Sequence, residues 1–122
     1  MPEIDERKLK LIEKLMFCRG TENYYTNPHL AFQYTDGVKI FCDIAEAYWL
    51  LDIVNSVVKT KPEINEGLSA VKLKMKTDNT AVITFKDGSK IRYKQVIPYT
   101  DCPKGEWRFF YQNNVFFWHD EY

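Results

Sequence analysis

The chain changes rhythm near Gly67, and that change constrains the fold more than any other feature. From residue 68 onward apolar and polar residues alternate. Val71, Leu73 and Met75 interleave with Lys72, Lys74 and Lys76; Ala81, Ile83 and Phe85 with Val82, Thr84 and Lys86; Ile91, Tyr93 and Gln95 with Arg92, Lys94 and Val96. A period of two sends successive side chains to opposite faces of a strand, so each segment has one apolar and one polar face. The joints carry turn chemistry: Thr77-Asp78-Asn79 closes the first hairpin, and Asp87-Gly88 signals a type I′ turn. Trp107–Gln112 and Val115–His119 form a last, aromatic hairpin about Asn113-Asn114, with one side facing the helices.

The first half has helical periodicity. Residues 5–17 predict a helix capped by Asp5, with Leu9, Ile12 and Met16 as its stripe, Leu11 and Leu15 widening it, and Gly20 placed to stop it. Thr21 to Pro28 is a polar and aromatic connection with room for one helical turn, and a short extended piece follows at Leu30–Tyr34. Thr35 is placed as an N-cap, with Asp36 in the first turn. Helical pattern then runs to about Lys59, with a bend near Ile44–Ala47 and Trp49 in its buried centre. The expected fold is α+β: two or three helices packed on one face of an antiparallel sheet of about five strands. Residues 1–122 form a single domain, with a helical part at 1–67 and a sheet part at 68–122; this length suits one core.

Seventeen basic and seventeen acidic residues cancel, so no global field draws the protein to nucleic acid or anionic lipid. Residues 1–67 hold eight Lys/Arg against eleven Asp/Glu, whereas residues 68–122 hold nine against six. Cys18, Cys42 and Cys102 are odd in number and lack CxxC spacing, which argues against a disulfide framework or a zinc site and suits a reducing cytoplasm. The charged start, Met1-Pro2-Glu3-Ile4-Asp5-Glu6-Arg7, does not resemble a signal peptide. No apolar run approaches the ~18 residues of a membrane span, so no membrane partner is expected.

Five motifs stand out: Gly20-Thr21-Glu22-Asn23-Tyr24-Tyr25, Tyr34-Thr35-Asp36-Gly37-Val38-Lys39, Ala47-Tyr48-Trp49-Leu50-Leu51-Asp52-Ile53, Tyr99-Thr100-Asp101 and Glu121-Tyr122. Together they resemble an uncharacterised family of small proteins of bacteria, notably cyanobacteria, and of their phages and mobile elements, over roughly residues 17–122. The resemblance implies a mobile-element or accessory setting and carries no assigned activity. Where that family has Gly-containing sequence before the Ala-Tyr-Trp run, this chain has Ala45-Glu46-Ala47, which favours a more continuous helix. Where it has Phe-Pro after the second Thr-Asp, this chain has Cys102-Pro103, which weakens any nucleophilic role for Cys102.

An enzyme would need a base or nucleophile with a positioned partner. The available parts are His29, His119, Asp36, Asp101, Asp120, Cys18, Cys42 and Cys102, and no spacing joins them. His29, His119 and Asp120 lack the i, i+3 or i, i+4 pairs of helix-borne metal sites. No catalytic residue, metal or cofactor is therefore assigned, and the aspartates are read as caps and turns. Tyr24 and Tyr25, next to Glu22 and His29 in a polar loop, are the first choice for a partner-binding site, because recognition residues concentrate on loops held by a scaffold. The leading expectation is a cytoplasmic, non-enzymatic binding protein of phage or mobile-element type that docks on a host or phage protein, a setting that an inhibitor of a host factor or defence system would fit. The alternatives are a nucleic-acid-binding module using Lys72, Lys74, Lys76, Arg92 and Lys94 on the polar sheet face, and a small enzyme. Lysines on exposed strands also guard against edge-to-edge aggregation.

Overall fold

A computed structural model describes residues 6–65 and 67–121; the expectations that touch Asp5 and Tyr122 lie outside them. Helix α1 (Glu6–Leu15) carries two apolar lines, and the core takes the one that was expected only to widen the stripe. Leu11, Leu15 and Cys18, at i, i+4 and i+7, are buried, whereas Leu9, Ile12 and Met16 are about half exposed. The expected stripe is corrected on this point: α1 packs on one neighbouring helix, and a single neighbour can cover only one line.

No helical turn follows Thr21. Instead Tyr24–Tyr25 forms a short strand, β1, that pairs antiparallel with β2 (Gln33–Thr35). Helix α2 (Asp36–Ala45) follows directly and buries Val38, Phe41, Cys42 and Ala45. The expected bend is a break. Glu46 adopts a left-handed conformation at φ 54, after which α3 runs over Trp49–Thr60 and a 3-10 turn over Pro62–Asn65. The lack of glycine before the Ala-Tyr-Trp run therefore does not make the helix continuous. Glu46 holds a geometry that costs a non-glycine residue about 1–2 kcal/mol, in exchange for turning α3 back onto the core, where Leu50, Leu51, Val54, Val57 and Val58 are buried.

The second half supplies β3 (Ser69–Met75), β4 (Ala81–Asp87), β5 (Lys90–Ile97), β6 (Gly105–Gln112) and β7 (Val115–Trp118). The sheet has seven strands in the order β1-β2-β7-β6-β3-β4-β5. It is mixed, because β2 runs parallel to β7. The expectation of about five antiparallel strands is corrected twice. Strands of two and three residues are too short to show an alternation, and a parallel pair between distant segments has no hairpin to announce it. The part at 1–67 thus supplies two strands as well as the helices.

The turns follow their residues. Asn113 and Asn114 both have positive φ, as a type I′ hairpin requires. Asp87 pairs with Lys90, so the next loop is Gly88-Ser89, and positive φ at Gly88 alone is the pattern of a type II′ turn rather than the expected type I′. The helices cover the face formed by Val71, Leu73, Ile83, Phe85, Trp107, Phe109, Tyr111 and Phe116. Phe41 is central to that contact, lying 5.4 Å from the Trp107 ring and 5.2 Å from the Phe109 ring. No helix among the described residues is long and apolar enough to cross a membrane.

Trp49 is only partly buried, at the edge of the core beside Ile53 and Ile97, so its placement at the buried centre of the fold is corrected as well. Phe41→Ala should therefore lower stability by about 3–5 kcal/mol, and Trp49→Ala by clearly less. Urea unfolding midpoints compare the two; equal losses would contradict this packing.

Candidate functional site

Three of the motifs meet at the N-terminus of α2. A helix start leaves backbone N–H groups without intrahelical acceptors, and a carboxylate there answers both the hydrogen bonds and the helix dipole. Thr35 occupies the cap position, yet its hydroxyl does not cap; it donates to Glu121 Oε1 at 2.6 Å. The capping acceptor is Glu121 itself, whose Oε2 accepts from Gly37 N–H at 3.1 Å while Oε1 also accepts from Trp118 N–H at 2.9 Å. Only glycine fits at position 37, because a Cβ would lie 2.6 Å from Glu121 Oε1 and 2.7 Å from Trp118 Cβ.

Asp36 turns the other way and gathers the 21–25 segment. Its Oδ2 accepts from the Glu22 and Asn23 N–H groups at 2.9 and 3.2 Å, and its Oδ1 from the Tyr25 hydroxyl at 2.7 Å. Asp36 N–H donates to Thr21 Oγ1 at 3.0 Å. Desolvation pulls the Asp36 carboxyl upward, but the bonds from Tyr25, Glu22 and Asn23 outweigh it and lower its pKa to about 2. Tyr25 and Glu22, two of the expected partner-binding residues, thus take part in an internal lock. Tyr24 is 57 % exposed. His29 is exposed on the following turn, where its carbonyl accepts from Asn55 Nδ2 at 2.9 Å.

Of the candidate catalytic parts, the neighbours His119 and Asp120 pair with each other, and among the described residues no third candidate is grouped with them. Burial pushes up the Cys42 thiol, and burial followed by the Glu121 and Asp36 charges pushes up Cys18; both shifts disfavour a thiolate nucleophile. Cys102 is buried beside Thr100, whose hydroxyl accepts the Cys102 N–H. Asp101 pairs with Arg7 at 3.8 Å, and Asp120 with His119 at 3.2 Å. The second Tyr-Thr-Asp is thus an irregular segment tied to Arg7 and to Asn79, whose carbonyl accepts from Thr100 N–H at 2.9 Å, and unlike the first it caps no helix. Among the described residues no three His, Cys, Asp or Glu side chains are grouped to hold a metal ion.

The helix-free face of the sheet brings together residues that sequence separated. Register sets Arg108 opposite Lys72, Lys72 opposite Thr84 and Thr84 opposite Lys94, a row crossing β6, β3, β4 and β5. The neighbouring row is Phe117, Phe110, Ala70, Lys86 and Ile91. Neighbours in such a row lie about 5 Å apart. The small Ala70 leaves a hollow of about 300 Å³, bordered by Lys72, Thr84, Lys86, Arg108, Phe110 and His119.

Of the five basic residues singled out from sequence, Lys72, Lys74 and Lys94 lie on this face, and Lys76 continues the alternation just past the end of β3. Arg92 is the extra residue of an irregularity between β4 and β5, tied to Asp87 at 3.0 Å. Lys86, Arg108 and His119 were not singled out for this face, and Phe110 only as an aromatic that could reach it. Alternation alone offered Lys86 and Arg108; only the register could seat all four around Ala70. Phe116, in the same hairpin, is fully buried in the core on the other face.

The lock has a pH signature. A carboxyl held below its ordinary value near 4 contributes stability above that value and loses it as pH falls toward about 2. Asp36→Asn should therefore melt lower than wild type at pH 7, with the gap closing as pH falls through that window. Thermal melts from pH 7 to pH 2 measure it, and a gap independent of pH would contradict the assignment.

No curated protein and no solved structure matches the chain. The model of DUF6876, a family of unknown function, matches residues 9–122, and the chain belongs to that family.

Proposed function

We propose that this is a non-enzymatic binding protein whose helix-free sheet face engages nucleic acid. The observation that carries the reading is the cationic row Arg108, Lys72 and Lys94, which crosses four adjacent strands with Thr84 in line. Rigid strands set Arg108 about 5 Å from Lys72 and Lys94 about 10 Å from Lys72, with Thr84 between, so a phosphate backbone crossing the strands meets more than one cation, and neutralising phosphates releases counterions. Among the described residues Lys72, Lys86 and Lys94 form no ion pair, and Arg108 meets Glu106 at 3.3 Å on an exposed surface. The charge of the row is therefore open to an outside anion. The chain's zero net charge makes the attraction local to this face.

A non-enzymatic role is supported by the commitment of the candidate groups elsewhere: buried thiols, Asp36 inside the lock and Asp101 in an ion pair. A second reading is docking on a host or phage protein, as an inhibitor would dock. The observation favouring it is the outer line of α1, where Leu9, Ile12 and Met16 are joined by Phe17 at 78 % exposure. The sheet face is preferred because it combines charge, apolar surface and a hollow on rigid elements.

Salt titrations of oligonucleotide binding distinguish the two. The wild type should bind with an affinity that falls steeply with salt, and Lys72→Gln with Arg108→Gln should reduce the slope of log K against log salt by about one per phosphate contact removed, with the thermal melt unchanged. Binding insensitive to both salt and these substitutions would refute the proposal.

A further inference from the structure

The cationic row has an apolar neighbour, and the two together carry more than electrostatic attraction. Phe117, Phe110 and Ala70 run beside Arg108 and Lys72, one residue pair further along the same strands. Side chains two residues apart on one strand face the same way, about 7 Å apart, so the two rows form parallel tracks. The Phe110 ring is partly exposed and is held against Phe117, with ring centroids 5.8 Å apart. Beside it the missing bulk at Ala70 opens the hollow, which Lys86 closes on the far side. Its volume of about 300 Å³ is at the small end for ligand sites, on the scale of one flat ring system.

We infer that the hollow over Ala70 seats one unstacked nucleobase against Phe110 while the adjoining phosphates lie on Lys72 and Arg108, so that the face selects single-stranded nucleic acid over duplex. The inference rests on the reading proposed above and narrows it to a substrate class. In a duplex the bases are stacked and paired inside the helix, and only the phosphates meet a flat protein surface. A single strand presents bases and phosphates on separate sides, as the two tracks require, and base–aromatic stacking tolerates any sequence. DNA and RNA strands share this chemistry. His119, paired with Asp120 at 3.2 Å, stands on the rim of the same hollow.

Fluorescence anisotropy with labelled strands of about twelve nucleotides, within the site sizes of single-strand binders, tests the inference. The probes are single-stranded DNA, the matching RNA, the DNA duplex, an abasic DNA strand that keeps the phosphates without bases, and polyglutamate. Wild type should bind the DNA or RNA single strand at least about tenfold tighter than the duplex and the abasic strand, the scale of one stacked base. Ala70→Leu fills the hollow and should abolish that preference while leaving salt-sensitive binding to the abasic strand intact. Ala70→Val, a smaller filling, should fall between, and it serves if the leucine variant melts early. An abasic strand that binds wild type as well as the natural strand, or a preference that survives both substitutions, would overturn the base pocket while leaving the phosphate row standing. Absence of binding to every nucleic acid, or polyglutamate binding as tightly as the strands, would overturn the proposed function and this inference with it.

Discussion

The carboxylate of Glu121 joins the two ends of this fold. It accepts hydrogen bonds from Thr35, Gly37 and Trp118, residues of a helix start and of the last strand that lie far apart in sequence. A helix N-terminus packed against a sheet would otherwise leave its first N–H groups buried without acceptors, at roughly 1–3 kcal/mol for each. Supplying the acceptor from the far end of the chain couples helix, strand and terminal turn into one unit. The parallel pairing of β2 with β7 immediately precedes this contact and shares its residues' register. Asp36 extends the unit by holding the 21–25 segment, so β1 is fixed by the same helix start.

That coupling reaches the candidate binding face through His119. The residue follows Trp118, whose ring its own meets in a tilted contact with centroids 4.5 Å apart, and it opens the 3-10 turn that Glu121 ends. The lock on one side of the sheet therefore sets the rim of the hollow on the other. The division is spatial: carboxylates and Tyr25 organise the helix start, while lysines, an arginine and a phenylalanine line the candidate face on rigid strands. Sites built on strands hold their spacing better than sites on loops, which favours the sheet face over the exposed Tyr24 and His29 as the principal contact.

Much of this was legible in the sequence. Long alternating runs such as Val71–Lys76 and Ala81–Lys86 announced their strands and their two faces, and Asn113-Asn114 announced its turn. What stayed hidden was of one kind, namely relations between distant residues. Nothing local in Tyr24-Tyr25 shows a strand, and the extended piece expected at Leu30–Tyr34 did not reveal that Gln33–Thr35 pairs with β7, because the partners lie elsewhere in the chain. The choice of Leu11 and Leu15 over Leu9 and Ile12 depends on which side α2 approaches. Thr35 looked like a cap by residue type, yet the acceptor came from Glu121, and the hollow over Ala70 exists only once β3, β4 and β6 are in register.

The most direct test of this account is amide hydrogen exchange at Gly37 and Trp118, followed by NMR in the wild type and in Glu121→Ala. In the wild type both amides should be protected, since each donates to the same carboxylate. In the variant both should lose protection together, while the β3 and β4 amides, paired within the sheet, keep theirs. Fast exchange of Gly37 in the wild type, or protection of both amides that survives loss of the carboxylate, would contradict the claim that Glu121 joins the helix start to the last strand.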